Sequence, residues 1–294
     1  MKDLLKKWAR PALAATLLGA TLQNVSADEM KPPQEPSTQK TDPKSGEPVF
    51  EQGILFPYEL LDQALNSRMD NNGNVDYLAL RANPSLALFV RATNTADLGA
   101  FPVWKEKDKE GKVRLDRSSE LVFWINAFNG HILKAVSDAY PVKNVGEIKG
   151  LFTDKTHVVA GKTYSLQEIR DKIVGMDARA LFALSEGTKG GPLLSPSAYR
   201  LTGLSDALDG AVSAFVNDPR NVVLTRIQDQ VQVSDYFREA DKSFSSKFKR
   251  GKWGGIRYLL MTYTRESAQR KYFITNDFRV NFQAKDNSLN NKNL

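Results

Sequence analysis

Residues 120–136 read ELVFWINAFNGHILKAV, an apolar stretch of about five helical turns that nevertheless carries two asparagines. At about 100° per residue, Asn126 and Asn129 lie roughly 60° apart on one side, with Gly130 beside them. Phe123, Ile125, Phe128, Ile132 and Val136 cover most of the remaining surface, so little of this helix can face water. A primary amide buried without partners costs about 1–3 kcal/mol, so both side chains must find hydrogen bonds in the fold. Any architecture for this chain has to enclose this helix and supply those partners. The pattern marks a structural centre and names no reaction.

The same helix carries a family resemblance. WINAFN at 124–129 resembles the W-I-N-x-[YF]-N signature of the DUF547 family, a group of largely extracytoplasmic proteins of unknown function. Other pieces follow in that family's order: Val75-Asp76-Tyr77, Tyr140-Pro141-Val142, SLQEI at 165–169, DARALFAL at 177–184, and Val233-Ser234 onward. The departures are equally specific. The family often has Glu-His where this chain has Arg170 and Asp171, and His where it has Leu181. Its C-x-x-x-x-C-P pair falls on Glu186 and Gly191, with Pro192 retained. The resemblance therefore implies a divergent member that lacks any chemistry those Cys and His residues perform.

The N-terminus reads as a secretory signal. Lys2, Lys6, Lys7 and Arg10 form a charged region, residues 11–22 an apolar run, and Val25-Ser26-Ala27 a small-residue cleavage site. The apolar run has about a dozen residues against the roughly 20 that a spanning helix needs, so cleavage after Ala27 is expected and a membrane anchor is not. This expectation puts the protein in the periplasm or outside the cell. Residues 28–48 are rich in Pro, Lys, Glu, Ser and Thr, a composition that cannot offset ordering entropy and reads as a flexible linker. A single globular domain is expected over 49–286, and the polar end at 287–294 should fray.

The absence of cysteine removes disulfides, thiolate metal sites and cysteine nucleophiles together. Residues 1–27 hold four cations and one aspartate, so the rest of the chain keeps +4 of the net +7. That excess is ordinary for solubility, and nucleic acid is a poor partner for an exported domain.

Periodicity predicts helices over 58–68, 86–93, 118–139, after 165, and over 205–217, 235–249 and 256–265. Ser118 or Ser119 can cap the signature helix, and Ser165 with Glu168 forms a capping box. DKEGK at 108–112 reads as a polar turn in a loop or hairpin, and a hairpin is expected at 157–164. Further extended segments are read at 222–227, 231–233, 272–275 and 280–282. The fold class is α+β, a single mostly helical domain with a small antiparallel sheet or hairpins.

Several motifs fail on inspection. Gly161-Lys162-Thr163 resembles the end of a P-loop, but Thr156 stands where the earlier glycine belongs. Asp70, Asn72 and Asn74 alternate like a calcium loop, but Val75 replaces the glycine and Arg81 the final glutamate. No metal or cofactor is expected. His131 is placed with Lys134 and Glu120 on the polar edge of the helix, as a solvated structural residue. The glycine-rich EGTKGGP at 186–192 permits close approach of another chain or a ligand. KFKRGKWGG at 247–255 reads as a solvated, basic helix end, with an anionic polymer as the other possibility.

The candidate ligand-binding set is Asn126, Asn129, Arg179, Glu186 and Lys189, with Glu186 the only catalytic candidate. These residues are expected to line one cleft opened by Gly130 and the glycine loop. The leading functional expectation is non-catalytic binding of a small molecule, peptide or envelope polymer. The competing one is a hydrolase or transferase acting on envelope peptides or glycans, with Glu186 as acid or base. A third is an envelope scaffold with a closed core. Oligomeric state is not legible.

Overall fold

The structure is a computed structural model that describes residues 56–292 apart from 67, 108 and 248–251. The expected signal and linker lie outside the described residues, as does part of the basic segment at 247–255.

The described residues begin with α1 (Glu59–Leu65), α2 (Tyr77–Arg81) and α3 (Pro84–Asn94). A hairpin of β1 (Trp104–Lys107) and β2 (Val113–Asp116) precedes the long α4 (Ser118–Ala139). A second hairpin, β3 (His157–Val159) and β4 (Lys162–Tyr164), leads into α5 (Leu166–Met176) and a 3-10 turn at Ala178–Ala183. Then come α6 (Leu204–Val216), β5 (Val222–Thr225), β6 (Gln230–Ser234), α7 (Phe237–Phe244), α8 (Gly254–Tyr263), α9 (Ser267–Thr275) and β7 (Arg279–Gln283). The architecture is α+β and mostly helical. The three-stranded sheet is mixed: β6 is central, antiparallel to β5 and parallel to β7. A parallel partner requires a long crossover, and α7, α8 and α9 supply it.

Local chemistry explains the element ends. The signature helix starts at Ser118 without a serine cap; instead the Asp116 carboxylate accepts from the Ser118 N–H at 2.8 Å. The capping box of α5 forms as its sequence predicts, with Glu168 N donating to Ser165 Oγ and Ser165 N donating to Glu168. Residues 272–275, expected to be extended, belong to α9. Glu266 accepts from the N–H groups of Ala268 and Gln269, and Phe273 is buried, so a cap and one anchoring ring override β-favouring side chains.

Two apolar clusters fill the described body. The first surrounds α4, whose Phe123, Trp124, Ile125 and Phe128 are fully enclosed, together with residues of α1, α2, α3 and α5. The second joins Leu181 and Phe182 of the 3-10 turn to α6, the mixed sheet, α7 and α8. Burying each large side chain contributes about 1.5–3 kcal/mol.

Of the end expected to fray, the described residues 287–292 are docked instead. Leu289 is fully buried, and Leu289 N donates to Lys143 O at 2.8 Å. Asn290 N donates to Gly187 O, while Asn290 O accepts from Val75 N at 2.8 Å. Its side chain accepts from Tyr77 Oη at 2.6 Å and donates to Gly73 O at 3.0 Å. Polar composition here serves backbone partners, not water.

Candidate functional site

The site is built from α4 outward. Asn129 Nδ2 donates to Ala183 O at 3.0 Å, and its Oδ1 accepts from Ser185 N at 2.9 Å. Asn126 closes the same two-point clamp on one residue, donating to Tyr199 O at 3.0 Å and accepting from Tyr199 N at 2.8 Å. These amides substitute for secondary-structure partners of two irregular segments. Asn129 thereby fixes the backbone immediately before Glu186.

Glu186 is 7% exposed and fully engaged. Its Oε1 accepts from Arg170 Nη1 at 2.9 Å, and its Oε2 pairs with Lys285. Arg170 projects from the buried side of α5 and spends its other terminal nitrogen on Glu239 Oε2, at 2.5 Å. The guanidinium also lies 5.5 Å from the centre of the Tyr236 ring, and Lys285 Nζ lies 5.8 Å from it. Tyr236 Oη donates to Leu181 O at 2.8 Å. Arg170, Asp171, Leu181 and Glu186, where this chain departs from the resembled pattern, thus converge.

Above this cluster opens a cleft of about 640 Å³. On one side α5 presents Gln167, Asp171 and Val174; on the other α7 presents Arg238, Glu239, Lys242 and Ser243. Glu186, Asp235, Tyr236 and Lys285 complete the lining. Burial lifts the Glu239 carboxyl above its ordinary range; Arg170 opposes this, Glu186 and Asp171 reinforce it, and Lys242 opposes it. Burial also pushes the Tyr236 phenol well up, keeping it protonated. Burial works against the charge on Arg170, but Tyr236, Glu186 and Glu239 outweigh it and raise its pKa.

Of the five residues expected to bind ligand, Glu186 alone lines this cleft. Asn126 and Asn129 are occupied with backbone. Arg179 is bound by Asp177 at 2.7 Å and Asp209 at 3.1 Å, and it donates to the Ser205 hydroxyl at 3.0 Å. Its hydrogen bond to Asp177 comes first among the causes that raise its pKa. Lys189 contributes backbone, donating to Ser288 O at 2.9 Å and accepting from Arg220 at 3.2 Å.

Gly130 opens no space, because a Cβ there would meet the Phe89 ring at 2.5 Å, and α3 fills the gap. The glycine loop does admit a close chain, but an internal one: a Cβ on Gly190 would lie 2.6 Å from Asp286 N. Residues 285–290 run through that space and bring Lys285 to Glu186.

His131 is also relocated. It is 5% exposed, packed edge-to-face against His157 with ring centres 5.2 Å apart, and 2.9 Å from the Thr93 hydroxyl. Burial and the neighbouring His157 lower its pKa to about 3, against a weaker opposing hydrogen bond to the Val158 backbone. Neither histidine lines the cleft.

Residues 113–216 match the sequence model of a family described as a protein of unknown function, DUF547. Those residues are what this chain shares with DUF547. Comparison with curated proteins and with solved structures gives no match. The DUF547 segment contributes α4, the α5 wall and Glu186, whereas Tyr236, the α7 wall and Lys285 come from beyond it.

Sequence reasoning missed the ion cluster because Glu239 and Lys285 lie 69 and 99 positions from the residues they pair with. One signal was present: Arg170 shares the apolar face of α5 with Leu166, Ile169 and Ile173, and a buried arginine demands carboxylate partners.

Proposed function

We propose that this protein is an exported, non-catalytic binding domain of the cell envelope, and that its ligand enters the cleft between α5 and α7. The ligand classes consistent with the cleft are a small polar molecule, a peptide or a fragment of an envelope polymer. The observation that carries the non-catalytic reading is the state of Glu186. Both its oxygens are held by cations, so neither is free to abstract a proton or attack a substrate. Ser243, the one hydroxyl-bearing aliphatic residue of the lining, donates to Glu239 O and has no histidine beside it in the cleft. Export rests on the short apolar run and the small residues before Asp28; protein recovered from periplasm or medium should begin at Asp28, and an intact Met1 in that fraction refutes it.

The catalytic alternative, a hydrolase or transferase on envelope peptides or glycans, finds its support in Glu239 instead of Glu186. A carboxyl raised by burial inside a cleft is suited to proton transfer. The deciding experiment is calorimetric titration of the protein with a soluble peptidoglycan digest, with mass spectrometry of the mixture. Binding without new fragments, abolished by Ser243→Trp, supports the binding reading. Fragments that appear with wild type and vanish with Glu239→Gln favour catalysis. Equal binding by Ser243→Trp removes the cleft from either account.

A further inference from the structure

The charges lining the cleft are of both signs, and most are already matched. Glu186 pairs with Arg170 and Lys285, Glu239 with Arg170, and Arg238 with Asp235 at 2.8 Å. Among the described residues only two charged groups of the lining take part in no ion pair: Asp171 and Lys242. Asp171 receives a hydrogen bond from Gln167 Nε2 at 2.8 Å, one turn earlier on α5. Both side chains are exposed and stand on different walls, Asp171 on α5 and Lys242 on α7. No ion pair joins them, and both line the same cleft.

Resting on the binding reading above, we infer that the cleft takes a zwitterion, a short peptide or amino acid with a free ammonium directed to Asp171 and a free carboxylate directed to Lys242. A polyanion would meet Asp171, Glu186, Asp235 and Glu239, and like-charge contacts select against it. A polycation would meet Arg238, Lys242 and Lys285 with the same result. A neutral glycan would bring no opposite charge to either wall. A ligand with one charge of each sign at its two ends satisfies both walls and leaves the buried ion pairs undisturbed. The volume of about 640 Å³ is within the usual range for small-molecule sites, roughly 300–1,000 Å³, and suits a peptide of a few residues.

The test is calorimetric titration of the exported chain with tri-alanine, its N-acetyl derivative and its C-terminal amide. Tri-alanine should bind, and blocking either end should weaken binding at least tenfold. Asp171→Asn should erase the discrimination against the N-acetyl form only, and Lys242→Gln that against the amide only. Neither residue is buried, so both variants should fold, which their unfolding transitions verify. Equal binding of all three peptides, or no binding of any while the peptidoglycan digest still binds, overturns the zwitterion and leaves the binding cleft standing. If the digest also fails to bind, both readings fall.

Discussion

Asn126 and Asn129 are neutral, enclosed and bonded to backbone, whereas Arg170 and Glu186 are a buried charged pair of which Glu186 reaches the cleft. The amides satisfy peptide groups that no helix or strand supplies, which makes them part of the fold's wiring. The ions satisfy only one another and their charged neighbours. A buried ion pair is weak evidence of stabilisation, because apolar residues of equal volume often do as well. Its position beneath a cleft points to a use of charge there. The histidine pair is intermediate: neutral like the amides at pH 7, but convertible to ions by acid.

The largest disturbance should come from breaking the ionic side. Arg170→Leu leaves Glu186 and Glu239 without their shared cation and should cost about 3–5 kcal/mol in urea unfolding. Replacing both members, Arg170→Leu with Glu186→Leu, should recover a substantial part of that loss. A double variant as unstable as the single would show that the pair is not the unit described here.

On the amide side, Asn126→Leu orphans the N–H and C=O of Tyr199, and about 1–3 kcal/mol should be lost. An unchanged melting temperature would mean that water reaches that backbone and that the clamp is dispensable.

Acid should convert the third group. The unfolded histidine titrates near 6.5, and His131 in the fold only near 3, so the unfolded chain binds the extra proton between those values. Stability from this residue is therefore complete above about pH 6.5 and falls as pH drops toward 3, by at most about 1.4 kcal/mol per pH unit. Burial lowers the pKa of His157 as well, in the same direction. Urea midpoints measured from pH 7 to pH 5 should decline in wild type and decline less in His131→Gln. Parallel curves would remove the histidine from the comparison.

The smallest effect calibrates the others. Lys134 and Asp138 form an exposed pair one turn apart on α4, and Lys134→Gln should change stability by less than about 0.5 kcal/mol.

Legibility in the sequence followed the range of the interactions. The signature helix, the capping box and both hairpins depend on residues a few positions apart, and their patterns are visible in the chain. That the asparagines needed partners was legible; that these were Tyr199, Ala183 and Ser185 was not, since 54 to 73 positions intervene. Glu186 could be picked as a candidate because its loop is rich in glycine. Lys285 could not, lying 99 positions away in a polar stretch that resembles a loose end. Leu289, like Arg170 on the apolar face of α5, was an overlooked sign: a lone large apolar residue among asparagines that proves fully buried. The extended reading of 272–275 failed for the opposite reason: local β preference was plain, but a cap at Glu266 and the burial of Phe273 decided the segment.

The docking of residues 288–292 on Gly73, Val75 and Tyr77 acts as a clasp that joins positions up to 217 apart. Closing so long a loop adds little free energy beyond closing a shorter one, since the entropy cost grows only with the logarithm of length. The burden falls on rate, because contacts of such separation form late. The cleft shares this dependence: Lys285 reaches Glu186 on the same segment, so the charge cluster is complete only with the clasp closed. A substitution that loosens residues 285–292 should therefore disturb the charge cluster without touching α4.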